Sequence, residues 1–453
     1  MLILHLFLDR PIIMAILLSM DRSTIERLEK WKNSPGRKPL VLYGARQVGK
    51  TWLMKEFGVK NYDSVAYITF DFDSRLNSIF EKDFSIPRII HELSIAADVK
   101  ITPDTLIIFD EIQECPRALT SLKYFSENAP QYQIIAAGSL LGVMTLEGTG
   151  FPVGKVNILT MYPMSFYEFL DAVDSRFIHI LKTLDFSAIA TFHDVITGLL
   201  KQYFFIGGMP AVVQKYTETR DFDEVRDVQR TILDSYYADF AKHIPSTYIA
   251  RTRDIWESVP TQLAKENKRF LYSDMKEGSR GRDYELALNW LTDTNLIHKL
   301  YRVSLPNMPL IGYKQPAIFK LYMNDIGLLS ARAALDIKIY LDDNNKTFSH
   351  YKGGLAEQFV LQELIAANDK LPLFYWATDK NTAEVEFVIQ YNGEIIPLEV
   401  KSGKNVKSES LSAYRNEYRP DHAVRASLKN YGVVDGLYSV PLYMIGSIMK
   451  IVG

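Results

Sequence analysis

The stretch LVLYGARQVGKTWL, residues 40–53, decides how the rest of the chain reads. Four strand-forming residues run straight into a loop holding two glycines, a lysine and a threonine, and the helix-compatible TWLMKEFG follows. Gly44, Ala45, Arg46, Gln47, Val48, Gly49, Lys50 and Thr51 fit G-x-x-x-x-G-K-[ST] without a mismatch. The spacing has a mechanism. Gly44 and Gly49 let the backbone curl so that successive N–H groups point at the β- and γ-phosphate oxygens of a nucleotide. A helix beginning near Gly49 adds its positive end, Lys50 supplies a mobile cation, and the Thr51 hydroxyl completes a magnesium shell. The ligands implied are a nucleoside triphosphate and Mg²⁺.

Such a loop needs a metal-holding carboxylate on a neighbouring strand, and TLIIFDEI at residues 105–112 supplies one. Leu106 to Phe109 deliver Asp110 to the carboxyl end of a strand, where open parallel sheets place their ligands. Asp110 is expected to hold Mg²⁺ through water, and Glu111 to polarise the attacking water. The adjacent acids favour hydrolysis over storage of the nucleotide. YQIIAAGS ends in Ser139, which reads either as a γ-phosphate sensor or as an ordinary turn residue.

At 453 residues the chain suggests roughly two to four domains. Lys+Arg 52 against Asp+Glu 54 gives a formal charge of -2, so no global charge advertises a polyanionic partner, although a local basic face stays open. The single cysteine, Cys115, excludes an intramolecular disulfide framework and a clustered cysteine-metal site, and fits a reducing, cytoplasmic setting. The apolar N-terminus MLILHLFLDRPIIMAILLSM is broken by Asp9, Arg10 and Pro11. Neither piece reaches the roughly 18 to 20 apolar residues of a membrane span. Residues 1–19 read as a mis-called start ahead of Met20, with an interfacial anchor as the alternative.

The chain then changes grammar. From 40 to about 165, apolar runs that barely alternate are separated by helical stretches, the pattern of a parallel sheet covered on both faces. From about 165 to 335 it reads as mostly helical, broken by FIGGMPAVV. After the polar linker LDDNNKTFSHYKGG come a helix and several strands.

The motifs GARQVGKT, LIIFDEIQ, IIAAGSLLG, YPMSFYEFL, GGMPAVV, FKLYMNDIGLL and EVEFVI…PLEVKSG together resemble the AAA-type P-loop ATPases. More narrowly, they resemble a large prokaryotic family in which that core is followed by a helical and winged-helix region and a domain with a restriction-endonuclease-like core. The resemblance implies an α/β fold with an N-terminal segment and helix at 1–38 and an AAA-type ATPase core at 39–170. A helical region at 171–250, a winged-helix-like region at 251–340 and a small α/β PD-(D/E)XK nuclease-like domain at 345–453 follow. Relatives usually carry an arginine near the strand before YPMSF, where FPVGKVNIL offers Lys155. An ammonium is a point charge and lacks the guanidinium fork, so no arginine finger is assigned and homo-oligomer formation rests on the resemblance alone.

In the middle region, GSRGRDYELALNWL reads as the second helix of a helix-turn-helix pair beginning at Arg280 and Arg282. Lys265, Lys268 and Arg269 would extend a basic face for DNA across 251–302, and a helical lid with a solvated charged face is the alternative. In the C-terminal part, strand alternation brings Glu386, Glu399 and Lys401 to one patch, with Glu357 reaching it from a preceding helix. Glu357, Glu386 and Glu399 would chelate Mg²⁺ or Mn²⁺ while Lys401 orients a water for attack on a phosphodiester. This order resembles the PD-(D/E)XK nuclease superfamily, whose members more often have aspartate at the position of Glu386. Two functions follow: a nucleotide-driven enzyme acting on DNA, or a nucleotide switch working through protein contacts with a silent terminal domain.

Overall fold

The computed structural model describes residues 22–71, 74–139, 151–275, 278–341, 349–380, 382–403 and 409–453. Residues 1–19, the end of the IIAAGSLLG motif and residues 342–348 of the polar linker lie outside the described residues. The chain divides into two compact units, 22–162 with 290–296, and 163–289 with 297–453.

The first unit is built on β1 (Leu40–Tyr43), β2 (Ser64–Thr69), β3 (Thr105–Asp110), β4 (Gln133–Ala137) and β5 (Asn157–Thr160). All pairings are parallel and the order is β2-β3-β4-β1-β5. Each apolar run from the sequence has become a strand. β3 is buried at all six positions, which is why TLIIFD shows no alternation. The covering helices show their inner faces in the spacing of their apolar residues. Pro116–Asn128 buries Ala118, Leu119, Leu122 and Phe125 along one stripe, with proline in its first turn, where a missing N–H costs nothing. Phe70, Phe80 and Phe109 meet edge to face at 5.8 to 6.0 Å and hold the end of β3 against its neighbours. Because β4 lies between β1 and β3, the loop after β1, Ser139 after β4 and Asp110 at the end of β3 share one rim of the sheet.

The second unit begins with helices, including Phe166–Val173, His193–Ile206, Pro210–Thr219, Phe222–His243 and Ser246–Leu263. Three of the sequence motifs meet in it. In YPMSFYEFL, Ser165 and Glu168 form a reciprocal capping box, and the Phe166 N–H donates to Glu363 at 2.8 Å. The Gly208 N–H of GGMPAVV donates to Asp325 at 2.6 Å, and Asp325 also caps the short helix Ile326–Arg332 through the Leu328 N–H at 2.9 Å. A Cβ on Gly208 would lie 2.0 Å from the Met164 carbonyl oxygen, so this crossing accepts only glycine.

The remaining strands are β6 (Ile297–Val303), β7 (Lys314–Met323), β8 (Leu373–Ala377), β9 (Glu384–Tyr391), β10 (Glu394–Val400), β11 (Ala423–Ser427), β12 (Gly432–Val434) and β13 (Leu437–Pro441). Among the described residues they form one sheet of order β12-β13-β11-β10-β9-β8-β6-β7. The winged-helix-like region expected to end at 340 and the terminal domain expected to start at 345 thus contribute strands to one sheet. β6 and β7 make an antiparallel pair as a wing does, yet β6 also pairs in parallel with β8 through Arg302 opposite Tyr375 and Val303 opposite Trp376. An unpaired strand edge exposes a row of N–H and C=O groups, and here β8 covers it. Val303 accordingly packs in one core with Phe374, Trp376, Val385, Leu411 and Tyr414.

Candidate functional site

The loop between β1 and the helix Lys50–Asn61 has the backbone its glycines foretold. Gly44 has φ 146°, Gly49 has φ 94° and Gln47 has φ 67°. A Cβ on Gly44 would sit 2.3 Å from the Met161 carbonyl oxygen, so the loop is drawn tightly against the residue following β5. No side chain caps the helix that starts at Lys50. Its first N–H groups face the loop without an internal acceptor, the arrangement that takes an anion.

Lys50 is buried and folds back on its own loop, donating to the Gly44 and Ala45 carbonyls at 2.8 Å each. Burial pushes its pKa down to about 8, against the pull of Glu111 and Asp110 and with the help of Arg46. Thr51 donates to Asp110 Oδ2 at 2.7 Å, and the Tyr67 phenol donates to the same oxygen at 2.8 Å. The other oxygen of Asp110 accepts the Glu111 N–H at 3.1 Å. Glu111 has φ 49° and is held by Gln113, whose Nε2 donates to it at 2.6 Å. Burial raises the Glu111 pKa, opposed by Gln113 and Lys50. Ser139 is half-buried after β4, between the strands that deliver the loop and the acids.

Loop, lysine, hydroxyl and carboxylate are thus brought together. The glycine cradle, the uncapped helix start and the hard oxygen donors of Thr51 and Asp110 fit a magnesium nucleotide. Sequence reasoning missed three supports. Tyr67 is on β2 and points at Asp110. Gln113 restrains Glu111. Arg22 is buried and donates to the Tyr162 and Val48 carbonyls at 2.6 and 3.4 Å, fastening the loop from behind. A tyrosine one strand away from an acidic strand end was a readable hint; Arg22 left none. Lys155, at the position where an arginine was sought, pairs with Glu127 at 2.8 Å.

The expected second site is arranged differently. Glu357 is buried on the helix Ser349–Ala367, with one oxygen 2.9 Å from Lys268 and the other 3.2 Å from Lys320. Burial would raise its carboxyl pKa, but the two lysines outweigh burial and hold it well below the usual range. Glu386 lies on β9 and accepts the Val400 N–H at 3.1 Å. Burial first, then Glu357 and Glu384, raise its pKa to about 8. Glu399 pairs with Lys401 at 3.0 Å and approaches Arg425 at 3.7 Å. Among the described residues no three His, Cys, Asp or Glu side chains are placed to hold a metal ion, so the expected chelate of Glu357, Glu386 and Glu399 does not form.

The basic face expected for DNA is also reduced. Lys265 pairs with Asp274 at 2.8 Å, and Lys268 is turned inward to Glu357. The helix Gly281–Asp293 does begin at the expected place, with Arg282 exposed and 3.7 Å from Asp283.

Comparison with known proteins bears on the first unit. Residues 36–170 match the family model of an AAA domain. The chain carries an AAA-type P-loop domain. Residues 197–338 and 352–445 match two domains of unknown function, DUF8612 and DUF4143. Among curated relatives, the uncharacterized proteins Rv2008c of Mycobacterium tuberculosis and Mb2031c of Mycobacterium bovis are 31% identical over 114 residues. That match covers 25% of this chain and only 24% of theirs. Among solved structures, the Walker-type ATPase PABY2304 of Pyrococcus abyssi is 15% identical, with 69% of this chain and 96% of that chain covered at a TM-score of 0.44. The Aeropyrum pernix ORC1 protein in complex with DNA is 13% identical, with 73% and 94% covered at a TM-score of 0.26. Likenesses of this size carry no functional argument. No helix among the described residues is long and apolar enough to cross a membrane.

Proposed function

We propose that this chain binds ATP with magnesium and hydrolyses it at the rim formed by Gly44–Thr51, Asp110, Glu111 and Ser139. The observation that carries the reading is the 2.7 Å hydrogen bond between Thr51 and Asp110, which sets two magnesium-type oxygen ligands beside the uncapped helix start. The loop N–H groups and Lys50 bind and orient the phosphates, and Glu111 takes a proton from the attacking water. Bound magnesium supplies charge neutralisation of the triphosphate. Lys50 leaves the Gly44 and Ala45 carbonyls for the phosphate oxygens.

Hydrolysis is coupled to DNA through the surface that begins at Arg280 and Arg282 and through the terminal domain. A second reading is favoured by the ion pairs of Glu357: the terminal domain is catalytically silent, and the nucleotide state changes a protein-binding surface. An ATPase assay with and without single- and double-stranded DNA tests both. Magnesium-dependent turnover that rises with DNA supports the first reading. Turnover indifferent to DNA supports the second, and no turnover or nucleotide binding overturns the site itself. Assembly into a homo-oligomer would appear as specific activity that rises with protein concentration.

A further inference from the structure

The carboxylates expected to surround a divalent ion surround a lysine. Lys320 lies within β7, fully buried, with its Nζ 3.2 Å from Glu357 Oε2 and 2.5 Å from Glu384 Oε1. It also stands 4.8 Å from the centre of the Tyr375 ring. Glu357 is saturated: Lys268 takes Oε1 at 2.9 Å, while the Tyr322 hydroxyl joins Lys320 on Oε2 at 3.1 Å. Two carboxylates thus face two ammonium groups, so each of these acids already has a cationic partner. A magnesium-type cation needs several oxygens directed at one point. Admitting one here would leave buried positive charge uncompensated, which proteins avoid.

We propose that the Lys320 ammonium takes the place of a divalent cation, so that the acidic patch of the terminal domain is closed by an internal counter-ion and takes neither Mg²⁺ nor Mn²⁺. The carboxylates of Glu357 and Glu384, bridged by the lysine, become free to take a divalent ion only when the lysine is removed. The inference stands apart from the ATPase reading, because it concerns other residues and is measured without nucleotide.

The test is Mn²⁺ titration of the nucleotide-free full chain, with free ion followed by electron paramagnetic resonance. Wild-type protein is expected to bind no Mn²⁺ at this patch. Lys320→Met is expected to gain one bound ion per chain and to lose it again when Glu357→Gln is added. Because Lys320→Met leaves like charges facing each other, its melting temperature is expected to fall, and to recover with Mn²⁺ where the wild type shows no change. Wild-type binding of Mn²⁺ that disappears in Glu357→Gln overturns the proposal, with no need for the lysine variant to fold. A folded Lys320→Met protein that binds no Mn²⁺ overturns it as well.

Discussion

Thr51 and Asp110, from a helix start and a strand end far apart in the chain, share a 2.7 Å hydrogen bond at the rim of the parallel sheet. The bond sets side by side the hydroxyl and the carboxylate that the proposed function assigns to magnesium. Asp110→Asn keeps the acceptor oxygen for Thr51 and Tyr67 but removes the charge. Its expected effect is loss of the magnesium dependence of ATP affinity, with a weaker effect on binding without magnesium. Calorimetric titrations with and without the ion check this. A magnesium effect equal to the wild type's would remove Asp110 from the site.

Lys50 gives a pH dependence with opposite signs for stability and for binding. Its folded-state pKa is lowered to about 8 from 10.5, so between those values the unfolded chain holds more protons than the folded one. Stability from this group therefore rises with pH across that window, and below about 8 the cost of burying the ammonium is fully present. Phosphate binding favours the ammonium, so ATP affinity should fall as pH passes upward through about 8, with uptake of a proton. Titration in buffers of different ionisation enthalpy measures that proton. Lys50→Ala should bind ATP more weakly, with no proton uptake in this range.

Glu111→Gln preserves an oxygen for Gln113 and removes the base. Turnover is expected to drop by about 10²- to 10⁴-fold while ATP affinity stays near the wild-type value. Single-turnover hydrolysis beside equilibrium binding separates the two, and a normal rate would reassign the proton acceptor.

Gly44→Ala places a methyl group 2.3 Å from the Met161 carbonyl at φ 146°, a conformation that side-chain-bearing residues avoid. A loss of about 1 to 3 kcal/mol in stability is expected from strain and overlap. Urea unfolding measures it. An undiminished midpoint would mean that the loop is less tightly drawn against Met161.

The first unit was legible because its chemistry is local. Residues 40–51 carry the strand, the turn and the cation in one run, and β3 shows its burial in five apolar or small residues before Asp110. The supports of the site were hidden for the opposite reason. Tyr67 and Arg22 reach it from segments whose own pattern states only strand or helix start. The terminal domain misled because alternation assigns a face and not a partner. Glu357, Glu386 and Glu399 were rightly placed on elements that converge, but FKLYM conceals that Lys320 alternates inward with Tyr322. That one sheet crosses the boundary near 340 was not legible, because the pairing of β6 with β8 joins residues more than seventy positions apart, which no local pattern records.

That pairing also governs how the molecule can be dissected. A fragment cut in the linker near 345 would strip β8 of its neighbour and leave hydrogen-bonding groups bare in both pieces, inviting self-association of each. Isolated terminal fragments would then precipitate for reasons unrelated to nucleic acid or nucleotide, whereas one beginning at 163 keeps the whole eight-stranded layer intact.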